Sequence, residues 1–173
     1  MPLTLLLGGA RAGKSKLAVR LASNTGGPVV VIATAEPRDE EMRARIARHR
    51  AARPSGWSTV EEPLDLEGAL SGIPSGSVAI VDCLTLWVAN EMEAGRSDEQ
   101  IEERARAAAR IAAAGHTVAV SNEVGSGIVP MHPEARRYRD ALGTVNAVWA
   151  EVADRTWLVV AGRILPLEEL MEP

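Results

Sequence analysis

The stretch that decides the fold is Gly8-Gly9-Ala10-Arg11-Ala12-Gly13-Lys14-Ser15, directly after the apolar run Leu3–Leu7. It fits G-x-x-x-x-G-K-S in full, and a helical segment, Lys14–Ser23, follows it. Glycines let backbone N–H groups turn toward phosphate oxygens, and the N-terminus of the next helix attracts anions. Lys14 offers a compact charge for the β- and γ-phosphates, and the Ser15 hydroxyl suits Mg²⁺. The motif therefore predicts a P-loop that binds a nucleoside triphosphate.

Length and composition predict one ordinary globular domain. The chain has 173 residues, of which 46% are hydrophobic and 24% charged, so we expect residues 1–173 to form a single nucleotide-binding domain. A net charge of −4 argues against a dedicated nucleic-acid binder. The single Cys83 suits a reducing compartment, and neither a signal peptide nor a membrane-spanning run is recognisable. We expect a cytoplasmic protein with no membrane insertion.

Five short apolar runs are mostly continuous rather than alternating, which is typical of parallel strands buried on both faces. They are Leu3–Leu7, Val29–Ala33, Val78–Asp82, Thr117–Ser121 and Thr156–Ala161. Helical signals mark Lys14–Ser23, Asp39–Arg53, a segment from the Ser97/Gln100 capping box to Gly115, and Glu134–Ala153. This alternation predicts an α/β fold: a P-loop NTPase-like, doubly wound, mostly parallel sheet flanked by helices. Within residues 55–77 we expect an extra strand at Trp57–Glu61 and a short helix.

Three further features are interpreted as structural. An apolar stripe on the last predicted helix is expected to belong to the core; its members are Tyr138, Leu142, Val145, Trp149 and Val152. His116 follows a helix-ending glycine, and His132 lies in a proline-flanked loop. Cys83 is expected to be a small buried apolar residue.

Ligands of such sheets bind at the carboxyl ends of the strands, so the residues there carry the chemistry. The third run ends in Asp82, where P-loop proteins place a second partner of the metal. The fourth run leads into a Gly- and Pro-rich loop that begins with Asn122 and Glu123. Glu123 either binds substrate and takes a proton from a hydroxyl, or caps the next backbone turn; spacing alone leaves both interpretations open.

One histidine lies among arginines in the second predicted helix. Five arginines fall within residues 43–53 and no acid does, an arrangement that is either solvated or suited to a polyphosphate. His49 follows Met42 and Ile46 at helical spacing, which predicts an inward stripe with Arg45 and Arg53 one turn to either side. Surrounding cations disfavour imidazolium, so we expect a neutral His49 that acts as a nucleophile or base. A purely structural role for it stays open.

Taken together, these residues resemble the bifunctional adenosylcobinamide kinase/adenosylcobinamide-phosphate guanylyltransferase family of cobalamin (vitamin B12) biosynthesis. The resemblance runs nearly end to end. It is carried by Gly8–Ser15, Ile32-Ala33-Thr34, Arg45-Ile46 through His49-Arg50, Trp57 through Glu61, Asn122-Glu123-Val124-Gly125 with Gly127 and Pro130, and Arg139-Asp140 with Gly143 and Asn146. Many families share the P-loop, whereas the histidine helix combined with the Asn-Glu-Val-Gly loop is far more particular.

The resemblance implies two reactions on one substrate. ATP or GTP phosphorylates the aminopropanol hydroxyl of adenosylcobinamide. A histidine, which maps to His49, then takes GMP from GTP and passes it to adenosylcobinamide phosphate, giving adenosylcobinamide-GDP. The family's nucleotide contacts map to Gly8, Gly9, Ala10, Arg11, Ala12, Gly13, Lys14, Ser15, Ala33, Thr34, Ala35, Arg50, Ala51, Ala52, Arg53, Glu61 and Asp82. Mg²⁺ is the implied cofactor, with Ser15 and Asp82 as candidate ligands, and a homotrimer is the implied assembly.

The sequence departs from the family pattern at a few places. Ala12 stands where the family often has Ser, but this position contributes chiefly backbone. Asp82 stands where some members carry Glu, and its shorter side chain leaves the metal role open. Glu123 is the candidate for the base in the kinase reaction. Glu123 and Arg139 are also the candidates for the surface that contacts the corrinoid.

Two other functions compete with this interpretation. A simple P-loop kinase of small molecules would use Lys14 and leave His49 structural. A GTP-binding switch would use an Asn-Lys-x-Asp motif to recognise guanine, but no asparagine here is followed by lysine, and Lys14 and Lys16 are the only lysines. The switch is therefore set aside, and the simple kinase remains the alternative.

Overall fold

The computed structural model of the protein describes residues 3–169, in which strands and helices alternate as the sequence predicts. The elements are β1 (Thr4–Leu7), α1 (Lys14–Ser23), β2 (Val29–Ala33), α2 (Glu40–Ala51), β3 (Ser58–Glu61), α3 (Leu66–Ser71), β4 (Val78–Asp82), α4 (Leu84–Glu93), α5 (Asp98–Ala114), β5 (His116–Val120), α6 (Pro133–Val152), β6 (Arg155–Val160) and β7 (Arg163–Leu167). The predicted parallel strands are confirmed to within one residue at each end. Residues 1–2 and 170–173 of the predicted domain lie outside the described residues.

The strands form one sheet in the order β3-β2-β4-β5-β1-β6-β7. Neighbouring strands are parallel except β6 and β7, which form an antiparallel hairpin. This arrangement confirms the predicted mostly parallel α/β fold. It also brings the residues that follow β1, β2, β4 and β5 to one edge of the sheet.

The core lies on both faces of the sheet, as buried parallel strands require. Leu5 and Leu7 of β1 pack in the larger core, with residues of α3, α4, α5 and α6. Leu6, on the opposite face, packs in the smaller core with residues of α1. The predicted stripe of α6 is confirmed, since Leu142 and Trp149 are fully buried in the larger core.

The sequence analysis missed α4 and β7, for different reasons. The apolar sequence of α4 starts one residue after the end of β4. Its N-cap, Cys83, makes no side-chain capping bond, so no turn or capping signal in the sequence separates the two elements. Every residue of β7 is exposed, and the strand contains Pro166, which argues against a strand except at a sheet edge. The hairpin turn uses Ala161 and Gly162, both at positive φ.

Helix α2 differs from the other helices because none of its residues is buried. Its boundaries still follow local rules: the side chain of Asp39 accepts a hydrogen bond from the backbone of Met42, and the acids of the first turn precede the cations of the last. Tertiary packing therefore contributes little to its position. Within residues 3–169, no helix has the length and apolarity that a bilayer crossing demands.

Candidate active site at the carboxyl edge of the sheet

The P-loop joins β1 to α1 and is shaped by backbone contacts. Gly8 has a φ of 145°, and a Cβ there would lie 2.2 Å from the carbonyl oxygen of Val159 on β6. Gly13, the N-cap of α1, also has a positive φ. On its outer side the loop is supported by the β6–β7 turn, where the Gly162 N–H donates to the Ala12 carbonyl at 2.8 Å. The motif glycines therefore meet a steric requirement that no other residue satisfies.

Lys14 is held inside this loop. Its Nζ donates to the carbonyl oxygens of Gly8 at 2.7 Å and Gly9 at 2.8 Å. Burial lowers the pKa of Lys14 below its ordinary value. Arg45 and Asp82 act on the same pKa with opposite signs, which shows that α2 and the end of β4 lie near the P-loop lysine.

An open cleft lies beside the P-loop, between α2 and the ends of β2, β3 and β4. It encloses about 530 Å³ including its open mouth. Eight of its lining residues stand out by charge or by their place in the sequence analysis: Ala33, Ala35, Arg45, His49, Arg50, Arg53, Glu61 and Asp82. The structure therefore gathers residues from helix α2 and from the ends of three strands around one space.

His49 faces a carboxylate in this cleft. Its Nδ1 lies 3.6 Å from Oδ2 of Asp82, and the two side chains are 39% and 17% exposed. The expectation of a histidine surrounded only by cations was incomplete, because α2 runs over the end of β4. The carboxylate favours the tautomer with the proton on Nδ1, which leaves the Nε2 lone pair free.

Asp82 is shared between His49 and Arg53. The guanidinium of Arg53 donates to Asp82 Oδ2 at 3.3 Å and to Thr59 Oγ1 at 3.2 Å. Burial alone would raise the pKa of Asp82, but the hydrogen bonds and charges of His49 and Arg53 hold it below its ordinary value. Asp82 is therefore ionised at neutral pH and keeps these two side chains at the floor of the cleft.

The five arginines of residues 43–53 have unequal roles. Arg43 pairs with Glu40, Arg50 with Glu61, and Arg53 with Asp82. Within residues 3–169, Arg45 and Arg48 form no ion pair, and of these two Arg45 lines the cleft. Arg45 thus has a positive charge available for an anionic ligand.

Three other residues that were predicted to contact the nucleotide do not line the cleft. Ala51 and Ala52 are exposed, at the end of α2 and just beyond it. Thr34 is fully buried, and its hydroxyl is bonded to the backbone of Cys83. If Thr34 contacts a nucleotide in this conformation, the contact cannot involve its side chain. All three assignments stay predictions.

Glu123 lies beside the P-loop, because its backbone N–H donates to the Gly8 carbonyl at 3.2 Å. Its carboxylate accepts a hydrogen bond from the Gly125 N–H at 2.5 Å, which matches the capping interpretation. The second carboxylate oxygen remains for a substrate. Arg139 pairs with Asp140 on α6.

Comparison with known proteins now decides the family. Residues 4–167 match the family described as cobinamide kinase / cobinamide phosphate guanyltransferase. The chain belongs to this family. It is 44% identical to the "Bifunctional adenosylcobalamin biosynthesis protein CobP" of Pseudomonas aeruginosa, covering 95% of this chain and 96% of that one. It is 39% identical to the "Bifunctional adenosylcobalamin biosynthesis protein CobU" of Escherichia coli K12, covering 91% and 95%.

Similar solved structures support the fold alone. The RadB recombinase aligns with a TM-score of 0.52 at 15% identity, over 91% of this chain and 73% of that one. A protein titled "Structural study of Project ID PH0250", from Pyrococcus horikoshii, aligns with a TM-score of 0.54 at 10% identity, over 95% and 85%. Both alignments span nearly the whole chain, in agreement with a P-loop NTPase-like architecture.

Sequence reasoning missed Asn90 of α4 and Thr59 of β3, which bind the backbone or side chains that form the cleft. Asn90 had a weak signal, as a polar residue within the apolar segment that follows Asp82. Thr59 had no signal in the sequence, because polar residues such as threonine are common in strands that alternate polar and apolar positions.

Proposed function

We propose that this protein phosphorylates the aminopropanol hydroxyl of adenosylcobinamide, and that it then transfers GMP from GTP to adenosylcobinamide phosphate through a GMP–histidine intermediate on His49. Family membership supports both reactions. The observation that carries the histidine step is the placement of His49 in the cleft, with the Asp82 carboxylate at its Nδ1. The P-loop beside it supplies a triphosphate site.

In the first reaction the substrate hydroxyl attacks the γ-phosphorus of the nucleotide. The bond from the γ-phosphorus to the bridging oxygen breaks, and the nucleoside diphosphate leaves. Lys14 and the backbone N–H groups of residues 8–15 offset the charge on the phosphates. Glu123, beside Gly8, is our candidate for the base that takes the hydroxyl proton.

In the second reaction Nε2 of His49 attacks the α-phosphorus of GTP, and pyrophosphate leaves. A phosphate oxygen of adenosylcobinamide phosphate then attacks the same phosphorus, which gives adenosylcobinamide-GDP and frees the imidazole. Asp82 stabilises the positive charge that the ring gains when the N–P bond forms. Arg45 and Arg53 stabilise the charge on the phosphoryl oxygens.

Mg²⁺ is proposed as the cofactor, with Ser15 and Asp82 as its protein ligands. Within residues 3–169, no cluster of three or more acidic, His or Cys side chains is arranged to hold a metal. One hydroxyl and one carboxylate nevertheless fit Mg²⁺, which takes its remaining ligands from nucleotide phosphates and water. Asp82 has Oδ1 available for this purpose, since Oδ2 faces Arg53 and His49. The bound ion would neutralise charge that develops on the phosphates.

The decisive experiment is transfer of label from [α-³²P]GTP to the protein in the absence of cobinamide phosphate. We expect an acid-labile, base-stable adduct that is lost in His49→Ala, while phosphorylation of adenosylcobinamide persists. His132→Ala is the matched control, because His132 is exposed and its side chain makes no capping bond. It should be labelled like the unmodified protein.

Two results would contradict the proposal. An unlabelled protein that still phosphorylates adenosylcobinamide would be a simple kinase. Equal loss of both activities in His49→Ala would assign His49 to the fold or to a shared nucleotide site.

We further propose that residues 1–173 act as one domain, in the cytoplasm, as a homotrimer that does not bind nucleic acid. Family resemblance supports the trimer. The exposed apolar side chains of Ile128, Val129 and Met131, of which Ile128 is 98% exposed, would be stabilised by burial in an assembly. A molar mass of one chain in light scattering would contradict this proposal.

A further inference from the structure

Asn90 of α4 is a buried side chain that joins two loops near the cleft, the β2–α2 connection and the β3–α3 connection. It is 6% exposed. Its Nδ2 donates to the carbonyl oxygens of Thr34 at 2.8 Å and Pro63 at 3.0 Å, and its Oδ1 accepts from Arg38 at 2.9 Å. Both amide hydrogens and the amide oxygen are therefore used.

Each of these loops leads to a charged residue of the cleft. Thr34 and Arg38 lie in the segment that connects β2 to α2, and Arg38 immediately precedes the N-cap Asp39. Pro63 lies two residues after Glu61, which pairs with Arg50 of α2. Asn90 thus fixes the start of α2 relative to the end of β3.

A second set of bonds continues from Thr34 to the catalytic carboxylate. The hydroxyl of Thr34 donates to the Cys83 carbonyl at 2.7 Å and accepts from the Cys83 N–H at 2.8 Å. The Thr34 N–H donates to the Asp82 carbonyl at 3.2 Å. The backbone that bears Asp82 is therefore tied to the same loop that Asn90 holds.

These bonds are important because α2 buries none of its residues. A helix without core contacts takes its position from its two ends. His49 lies ten residues after the N-cap, or about 15 Å along the axis. A tilt of about 5° at the N-terminus would therefore move the imidazole by about 1 Å, and a displacement of this size slows reactions by up to about 100-fold.

We propose that Asn90 is a positioning residue for guanylyl transfer, which sets the place of His49 and Asp82 by bridging Arg38, Thr34 and Pro63. It contacts neither reacting group itself. The inference rests on the proposed function, because it requires His49 to be the site of guanylylation.

The test compares the two activities in Asn90→Ala. We expect labelling of His49 from [α-³²P]GTP to be at least tenfold slower, while the kinase rate changes by less than about twofold. The reason for this split is that Asn90 makes no bond to residues 8–15, which carry the phosphoryl-transfer machinery.

Glu91→Gln is the matched control. Glu91 is the next residue of α4, is fully buried and pairs with Arg104 and Arg96. Arg104 also donates to the Leu64 carbonyl at 2.9 Å, next to Pro63, so this control tests the same loop without the amide of Asn90. Its replacement destabilises the same helix and leaves intact the three hydrogen bonds that Asn90 makes to Thr34, Pro63 and Arg38. We expect a lower Tm and an unchanged ratio of labelling to kinase rate.

Arg38→Met keeps the inference testable if Asn90→Ala does not fold, because the Arg38 side chain is 43% exposed and its replacement leaves no buried cavity. We expect slower labelling with normal kinase activity. Arg38 also pairs with Glu36 and with Glu93 of α4. In the double variant the two losses should nevertheless be less than multiplicative, because both changes remove the hydrogen bond between Asn90 and Arg38. Losses in labelling rate that multiply in the double variant would overturn the proposed bridge between Asn90 and Arg38.

The outcomes separate the two proposals. If the unmodified protein takes up no label, the GMP–histidine intermediate fails. If it is labelled, and Asn90→Ala is labelled at the same rate, only the positioning inference fails. A parallel loss of both activities in Asn90→Ala, with the Tm loss of Glu91→Gln, would also overturn it in favour of a structural role.

Discussion

The P-loop and helix α2, the two halves of the proposed nucleotide site, are built in opposite ways. Residues 8–15 directly follow the buried strand β1, and their backbone contacts β6 and the β6–β7 turn. Helix α2 contains no buried residue, and its functional side chains depend on partners from β3 and β4. One half of the site is therefore fixed by packing and the other half by polar contacts.

This difference teaches where each reaction is vulnerable. A steric change at Gly8 should damage the P-loop, because a Cβ there would meet the backbone of β6. Changes of charge should damage α2, because ion pairs and hydrogen bonds hold it. Under the proposed mechanism, phosphorylation depends on the first half alone, whereas guanylyl transfer needs both.

The largest effect is expected for Lys14→Met. Both activities should fall by about 10²–10³-fold, because the cation that offsets the triphosphate charge is removed. Steady-state kinetics of each reaction measure this effect, and Lys16→Met is the control, since Lys16 is exposed and outside the motif. Loss of kinase activity with normal guanylylation would show that the two reactions use separate nucleotide sites.

Gly8→Ala should be next, with a loss of about 2–3 kcal/mol in the free energy of unfolding. The new Cβ would meet the backbone oxygen of Val159 at 2.2 Å, and its φ is strained for alanine. Urea denaturation measures the loss. Gly9→Ala is the control, because a Cβ there has no neighbour within 4 Å, and an equal loss in both variants would contradict the steric account.

Arg53→Met should slow guanylylation about tenfold and change phosphorylation little. Its side chain is 11% exposed and holds Asp82 in place, so its removal leaves the carboxylate with His49 alone. Label-transfer rates test this expectation against Arg48→Met, an exposed arginine of the same helix that does not line the cleft. Similar rates in both variants would mean that the Arg53–Asp82 pair has no role in positioning.

The smallest effect is a pH dependence of stability from Asp82. Because its pKa is held below the ordinary value, the ionised carboxylate stabilises the folded state above about pH 4, and this contribution fades as the pH falls toward the folded pKa. Asp82→Asn should therefore be less stable than the unmodified protein at pH 7 and 5, with a smaller gap at pH 3. Chemical denaturation at the three pH values measures it, and a gap that widens on acidification would contradict the pKa direction.

Much of the fold was predictable because its signals are local. Continuous apolar runs predicted the parallel strands, and the Ser97/Gln100 capping box predicted the start of α5, where the structure confirms it. The edge strand β7 was missed because its exposed sequence and Pro166 carry no burial pattern. Helix α4 was missed because its apolar residues continue those of β4 without a turn signal.

The candidate site was predictable only in part. Spacing on one helix placed His49, Arg45 and Arg53 on a common face, and the structure has all three lining the cleft. Spacing gave no information on the partner of His49. The bridging role of Asn90 was also invisible, since its bonds reach backbone carbonyls far away in the chain.

The sequence by itself determined the P-loop and the alternation of strands and helices, because the conformations of glycines, caps and buried strands depend on neighbouring residues. Only the tertiary structure decided that the Asp82 carboxylate faces His49 and that Asn90 bonds to the segment that precedes the helix of this histidine. Those contacts join segments that lie close in space but far apart in the chain. Their energies depend on distance in space, which no local pattern encodes.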